Sequence, residues 1–557
     1  MWWGPDDSVH YKPAIGIDLG RKELIRWISV PVHLPFTGHN PRSLPCVSQA
    51  KVTRARLLCR VLLVGGLVGI RRLAVSTAVV AALTGTFGVP LAAGTASAAG
   101  GATTVREDFN GDGYQDVAVS APAATVGGHA WAGYLTVTYG SANGLDTART
   151  TVVTQDTAGV PGAAGDNAVF GYAMVPRDLD GDGLTDLAVT TREYRPEENV
   201  SGSVIVLWGR TTGISGQDAV RVGAPANAEV GTGITAGDFD GDGHVDLFMG
   251  NGDDYDYRSV LYGPFDRSGA PAREQDLMVF STDNTLSSTA AGDFDGDGIE
   301  DLATFYVYEN HAEGGKLWLG TEDGLSTVPQ RLPSASATAV ADFDRDGYAD
   351  LATRVFPGGD TEMVDDPGTV KIYYGSPAGP SQTRTRTFTQ ESAGVPGASE
   401  KNDHFGARLS AGDANGDGYP DLAVGVPGEA IGSVAKAGAT VLLKGGGAGL
   451  TGTGAQAFHQ DTPDVPGVAE KNDVFGASLR LLDVTGDGKA DLTVSAPGED
   501  LGTVRNGGAV WLLRGATAGL TASKSAAHNP VDLGTPVANA QYGWDLGGDN
   551  GPGVAIP

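Results

Sequence analysis

The sequence predicts an all-β protein, a seven-bladed β-propeller made of one repeat with an acidic loop in a hairpin at its heart. Three observations predict it. A nine-residue acidic motif occurs seven times, short β-type runs follow each copy in a fixed order, and no long amphipathic helix pattern interrupts them. First aspartates of successive motifs lie 70, 60, 55, 49, 71 and 70 residues apart. A period of this size marks a repeat architecture.

The motifs are "DFNGDGYQD" (108–116), "DLDGDGLTD" (178–186), "DFDGDGHVD" (238–246), "DFDGDGIED" (293–301), "DFDRDGYAD" (342–350), "DANGDGYPD" (413–421) and "DVTGDGKAD" (483–491). Oxygen-bearing side chains stand at positions 1, 3, 5 and 9, and glycine stands at position 6 in all seven. Carboxylates this close repel one another unless a hard cation sits among them. Calcium takes six to eight oxygens, and the EF-hand loop uses positions 1, 3 and 5, a carbonyl at 7 and a glycine at 6. Here the closing carboxylate comes at position 9, not at 12, and a strand pattern follows it. An EF-hand-like loop in a β-hairpin is the expectation, with calcium at up to seven sites. A lone copy reads equally well as a turn, since Asp, Asn and Gly are turn residues; seven copies with fixed oxygen positions favour metal. Asn110, Asn415 and Thr485 replace an acid at position 3, so loop seven, with Thr485, has the weakest ligand set. Arg345 replaces glycine in loop five and is expected to bring a positive charge near its ion.

Each loop leads into a run such as "DVAVSAP", "DLFMG" or "DLAVGVPG". About 20 residues on comes a second run ending in glycine, as in "SVIVLWG" or "AVWLLRG". Before three loops stands a third element, "FGYAM", "FGARL" or "FGASL", with its phenylalanine eight residues ahead of the first aspartate. From Ala99 onward each unit has about 65 residues, enough for a four-stranded propeller blade. A β-solenoid would need shorter, more uniform coils. "YGWDLGGDNG" (542–551) resembles the third element but has no complete loop after it, and the first loop has no such element before it. The segment at 542 is therefore expected to complete the first blade and close the ring. Closure removes open sheet edges, and a monomer is expected.

"FGARL", "DANGDGYPD" and "VGVPG" resemble the FG-GAP repeat of the integrin α-subunit propeller and of secreted bacterial FG-GAP proteins. The resemblance runs from roughly 105 to 550, with "SAP" at 120–122 and 495–497 and "GVP" at 425–427 in the place of the GAP element. It implies calcium loops between the first two strands of a blade. It implies as ligands Asp108, Asn110, Asp112, the Tyr114 carbonyl and Asp116 in loop one. Loop two would use Asp178, Asp180, Asp182, Leu184 and Asp186, and loop three Asp238, Asp240, Asp242, His244 and Asp246. Loop four would use Asp293, Asp295, Asp297, Ile299 and Asp301, and loop five Asp342, Asp344, Asp346, Tyr348 and Asp350. Loops six and seven would use Asp413, Asn415, Asp417, Tyr419 and Asp421, and Asp483, Thr485, Asp487, Lys489 and Asp491. In every loop the position-7 residue gives its carbonyl, so the His244 side chain is expected to face solvent. Units three to five lack a clear "FG" element, and nothing matches an integrin's inserted domain or membrane segment. The resemblance implies adhesion only by analogy.

The chain has 557 residues and a net charge of −29. Residues 1–98 hold 11 basic and 4 acidic residues; the remainder holds 27 basic and 63 acidic. "RRLAVSTAVVAALTGTFGVPLAAGTASAAGG" (71–101) has the positive start, apolar run and small-residue end of a secretory signal peptide. A membrane anchor is the competing reading, but Ser76, Thr77, Thr84 and Gly85 interrupt the run and no stop-transfer charges follow. Arg71–Arg72 leaves twin-arginine export open. Residues 1–50 show no such layout, so translation is expected to begin near Val52 or Val68, with residues 1–98 a leader and 99–557 the propeller. Both cysteines, Cys46 and Cys59, lie in the leader. The mature chain then has no disulfides, and bound metal would serve as its staple.

The acidic balance excludes nucleic acid as a partner, since affinity there comes from Lys and Arg on phosphates. No G-x-S-x-G elbow and no H-E-x-x-H occurs, and "GGGAGL" (445–450) lacks the Lys-Ser/Thr of a phosphate loop. No catalytic residue is assigned. The histidines after the leader, His129, His244, His311, His404, His459 and His528, do not recur in register. Trp208, Trp318, Tyr374 and Trp511 recur at one place in each unit, so core packing is preferred over sugar stacking. Binding is expected on irregular segments at 193–202, 251–259 and 358–369. Segments 155–167, 390–403 and 460–473 recur in register and read as inter-blade connections. Two functions remain: a secreted calcium-binding propeller that binds an extracellular protein or glycan, or an extracellular hydrolase with its site in a propeller mouth.

Overall fold

The strands that follow the acidic loops are apolar on both faces, which is the pattern of a strand sandwiched between neighbours. The computed structural model describes residues 107–195, 200–222, 233–250, 258–277, 285–308, 311–355 and 366–548. Seven antiparallel sheets stand in a ring. The first holds β1 (Val117–Ala121), β2 (Tyr134–Tyr139) and β3 (Asp146–Val153). The second holds β4 (Met174–Arg177), β5 (Asp186–Arg195), β6 (Val200–Leu207) and β7 (Val220–Val222). The third holds β8 (Gly233–Gly237), β9 (Asp246–Gly250), β10 (Arg258–Tyr262) and β11 (Arg273–Asp276). The fourth holds β12 (Thr285–Gly292), β13 (Asp301–Tyr308), β14 (His311–Trp318) and β15 (Gln330–Leu332). The fifth holds β16 (Ala335–Ala341), β17 (Asp350–Val355), β18 (Val370–Tyr373) and β19 (Thr385–Phe388). The sixth holds β20 (Leu409–Gly412), β21 (Asp421–Val426), β22 (Ala439–Lys444) and β23 (Thr451–Phe458). The seventh holds β24 (Leu479–Leu482), β25 (Asp491–Ala496), β26 (Ala509–Ala516) and β27 (Gly519–His528), followed by the short helix α1 (Pro530–Leu533).

Blades meet along their first strands: β4 packs on β8, β8 on β12, β12 on β16, β16 on β20 and β20 on β24. The core lies between blades. One cluster joins Phe343, Val370 and Ile372 of the fifth blade to Leu422, Val424 and Val441 of the sixth. Outer strands are half-solvated; β3 exposes Thr147, Ala148, Arg149 and Val152 and buries only Val153. The strand aromatics Trp208, Trp318, Tyr374 and Trp511 are buried, as core packing requires. Segments 155–167, 390–403 and 460–473 connect the last strand of one blade to the first of the next. The leader lies outside the described residues, as do 196–199, 251–257 and 356–365, which hold most of the irregular segments.

The first sheet has three named strands, and the segment from Tyr542 supplies the fourth side. In the second blade the Gly171 N–H donates to the Thr190 carbonyl (3.0 Å) and the Thr190 N–H to Ala173 (2.9 Å). Gly543 and Ser120 repeat this pair: the Gly543 N–H donates to the Ser120 carbonyl (2.9 Å), and the Ser120 N–H donates to Asp545 (2.9 Å). Tyr542 takes the place of Phe170, Phe405 and Phe475 and is buried with Leu546 against Val117, Val119, Val484 and Leu512. The ring closes between the first and seventh blades through this segment, as the sequence predicts.

Candidate metal centres

Loops two to seven each turn the chain from the first strand of a blade into the second, and loop one leads into β1 at the equivalent place, so all seven gather at one end of the ring. Loop two shows the construction. The Asp178 carboxylate accepts from the Gly181 N–H (2.8 Å) and Asp182 N–H (3.1 Å) on one oxygen and from the Gly183 N–H (2.9 Å) on the other. Gly183 has φ +86°, and the position-6 glycines of the other loops lie between +84° and +94°, a region that only glycine enters without strain. The loop thus folds around its first aspartate, which positions 3 and 9 join in one cluster.

Asp186, at position 9, anchors the blade. Its Oδ2 accepts from the Leu179 N–H (2.9 Å) and its Oδ1 from the Gly209 N–H (2.7 Å), at the end of the third strand. Asp116, Asp246, Asp301 and Asp350 make the same two bonds, to Phe109 and Gly140, Phe239 and Gly263, Phe294 and Gly320, and Phe343 and Gly375. Asp421 and Asp491 keep the backbone bond from the third-strand glycine, Gly445 or Gly515, and lack the second one; the Asp421 Oδ2 has the Lys444 Nζ at 3.6 Å instead. This explains the glycine that ends every third strand. A Cβ on Gly209 would lie 2.4 Å from the Thr185 carbonyl oxygen. Gly209→Ala should lower stability by about 1–3 kcal/mol, the range for overpacking. Gly446→Ala, where a Cβ meets nothing within 4 Å, should leave the urea midpoint unmoved. Equal midpoints for the two variants would refute the anchoring role.

The donor set fits a hard cation. Oxygens of Asp178, Asp180 and Asp186 lie within 4.8 Å of one another, as do those of Asp238, Asp240 and Asp246, of Asp293, Asp295 and Asp297, and of Asp342, Asp344 and Asp350. Buried oxygens of Asp238, Asp240 and Asp344 have no partner. Burial pushes the carboxyls of Asp116, Asp186, Asp246 and Asp301 up to about 8 and Asp350 to about 7, and the aspartates beside them add to the rise. A bound dication reverses this effect by favouring the charged form. Loops one, six and seven form no three-carboxylate cluster, because Asn110, Asn415 and Thr485 occupy position 3.

The structure corrects two sequence expectations. The Arg345 backbone has φ +57°, and its guanidinium lies 5.7 Å from the ring centroid of Tyr419, in loop six. It leaves its own loop. The His244 side chain is half-buried rather than solvated, with its Nδ1 3.8 Å from where a Cβ on Gly181 of loop two would stand. Its neighbours behave alike: Leu184 covers Gly111, Ile299 covers Gly241, Tyr348 covers Gly296 and Tyr114 covers Gly486. Position 7 of each of these loops therefore packs on position 4 of the loop before it, and the last of these contacts crosses the closure.

Sequence reasoning missed the cations at the loops. Arg267 pairs with Asp180 (2.5 Å) and Asp182 (2.7 Å), Arg273 with Asp240 (2.6 Å), and Arg384 with Asp344 and with Asp346 (2.5 Å). Each stacks on the aromatic residue that ends a third strand: Arg267 on Trp208, Arg273 on Tyr262 and Arg384 on Tyr374. Loop four has no such partner among the described residues. The arginines stand at no fixed distance from their loops, so no spacing in the sequence marks them.

Family models match the repeats on which these loops lie. The FG-GAP repeat matches residues 99–138, 405–443 and 475–513, and the FG-GAP-like repeat matches 178–249 and 293–353. The chain is an FG-GAP repeat β-propeller. Among solved structures, this FG-GAP propeller is similar to the periplasmic gluconolactonase PpgL of Pseudomonas aeruginosa at 14% identity and a TM-score of 0.38, over 76% of this chain and 97% of that one. A mutant of AofleA from Arthrobotrys oligospora matches at 12% identity and a TM-score of 0.33, over 66% and 91%. The Dos1 propeller matches at 10% and 0.33, over 70% and 76%. Superposition at this level transfers no activity to the FG-GAP propeller. No curated protein matches the chain. Among the described residues no helix is long and apolar enough to cross a membrane.

Proposed function

We propose that the chain is exported, loses residues 1–98 and works outside the cell as a calcium-stabilised FG-GAP propeller that binds a protein or glycan. The observation that carries this reading is the separation of the two ends of the ring. Six acidic loops lie in hairpins between first and second strands, and loop one enters the second strand of its blade at the same end. The turns between second and third strands lie at the other end, where Pro427, Gly428, Pro497 and Gly498 border a cavity of about 320 Å³. An ion in the loops holds blades together and stands apart from whatever the cavity takes. Loops presented on a rigid scaffold are where binding resides.

The cavity also favours a second reading, a hydrolase with its site in this mouth, because His404 lines it. The surroundings of His404 argue against base catalysis. Its Nδ1 lies 3.1 Å from an Arg354 nitrogen, and Asp366 pairs with Arg354 (3.2 Å) instead of with the imidazole. Burial pushes His404 down to about 4, and Arg354 and Lys436 push in the same direction. A general base works best with a pKa near the operating pH.

Binding of the purified protein to a glycan array and to whole cells, with calcium and with EDTA, tests the proposal. Retention on a defined glycan or surface protein is expected, and no retention on either would sink the binding reading. N-terminal sequencing of the extracellular protein should begin near Ala99. An intact chain in the cytosol or membrane fraction that keeps "RRLAVST" would contradict export.

A further inference from the structure

At the mouth opposite the acidic loops the repeat keeps its backbone and changes its side chains. Phe405, Phe475 and Tyr542 occupy one core position. Immediately before them stand His404, Val474 and Gln541, and three residues after them stand Arg408, Ser478 and Asp545. Alanine occupies the position between glycine and these last residues in two copies, as Ala407 and Ala477, whereas the third has Trp544. Packing holds the core position alike in each copy, so the variation belongs to what faces the mouth.

We propose that this cavity binds a small carboxylate-bearing ligand of sugar size. His404, Arg408, Lys436, Asn472, Gln541 and Trp544 all line it, and among the described residues no Asp or Glu does. That is an unusual lining for a chain with a net charge of −29. The Arg408 carbonyl accepts from the Gly425 N–H (2.9 Å), but its guanidinium makes no hydrogen bond or ion pair among the described residues. Asp545 lies near enough to favour its charge without closing an ion pair on it, while burial works against that charge. A planar guanidinium in this state suits a carboxylate, which it binds with two parallel hydrogen bonds. Arg354 donates to His404 Nδ1 (3.1 Å), so the neutral ring carries its proton on Nε2 and offers a further donor. The Trp544 Nε1 is buried without a partner, and the indole leans on Tyr172 with ring centroids 6.0 Å apart. The amides of Asn472 and Gln541 can both donate and accept, as a hydroxylated ligand requires. A volume of about 320 Å³ lies at the small end of ligand pockets.

This inference deepens the binding-module reading and rests on it, but the two fail separately. An array that retains only neutral glycans or a protein leaves the module standing and removes this ligand class. Titration calorimetry of the purified protein in calcium with sodium glucuronate, glucose and inorganic phosphate tests the inference directly. Glucuronate should bind and glucose should not. Arg408→Gln and Lys436→Gln should each weaken glucuronate binding tenfold or more. The Lys436→Gln variant, at a side chain outside the blade core, keeps the test decisive if Arg408→Gln fails to fold. No binding of glucuronate, equal binding of glucose, phosphate binding as tight as glucuronate, or binding that survives Lys436→Gln unchanged would each overturn the assignment.

Discussion

A chain that ends at Gln541 should fail to fold cooperatively. The truncation removes Tyr542 and Leu546, both fully buried between the first and seventh blades. A fully buried side chain of this class contributes about 1.5–3 kcal/mol. It also removes the acceptor for the Ser120 N–H and the donors to the Ser120 carbonyl, and each buried group left unpaired costs about 1–3 kcal/mol. Thr136 Oγ1 loses the Tyr542 hydroxyl at 2.8 Å, and the Met174 N–H loses the Asp545 carboxylate at 2.9 Å. Together these approach the 5–15 kcal/mol that holds a typical domain. The edge of β1 would lie open to other chains, so aggregation should accompany the loss. Near-ultraviolet circular dichroism of the truncated chain should be featureless. Tyr542→Ala should keep the fold but lose about 3–5 kcal/mol, as large-to-small changes of buried aromatics do. A truncated chain with a native spectrum and an unchanged urea midpoint would mean that the ring does not close through this segment.

Removal of calcium should lower the melting temperature strongly. A ligand that binds only the native state adds about 1.4 kcal/mol per site at tenfold excess over its Kd. Several filled loops would sum to roughly 5–10 kcal/mol, again comparable to the stability of a domain. Without the ion, the four clusters of aspartates keep their oxygens within 4.8 Å of one another. Arg267, Arg273 and Arg384 offset part of that repulsion in loops two, three and five. Loop four has no comparable cation among the described residues and should depend most on the ion.

The fold was legible because the spacing of aspartates and glycines repeats through the chain. Seven copies set the blade number, and the likeness of "YGWDL" to "FGARL" revealed the closure at Tyr542. The glycine after the third strand was visible as a pattern, but its reason was not. Gly209 meets Thr185 and Asp186 more than twenty residues away, and only folding brings them together. Arg345 misled because neighbours in sequence do not always share a site; its left-handed backbone sends the side chain toward Tyr419. His244 misled similarly, since the surface it covers belongs to the preceding blade. The mouth was least legible. A reading built on repetition attends to what recurs, and His404, Arg408 and Trp544 stand where the copies differ.

The central claim is that the acidic loops hold a calcium ion and that this ion stabilises the ring. A melting curve of the purified protein in EDTA, then with calcium or magnesium restored, tests it most directly. The melting temperature should fall in EDTA, return with calcium and return only partly with magnesium, which demands tight octahedral geometry and gives up its waters reluctantly. A curve that EDTA leaves unmoved would show that the seven loops are acidic turns and that packing alone holds the propeller together.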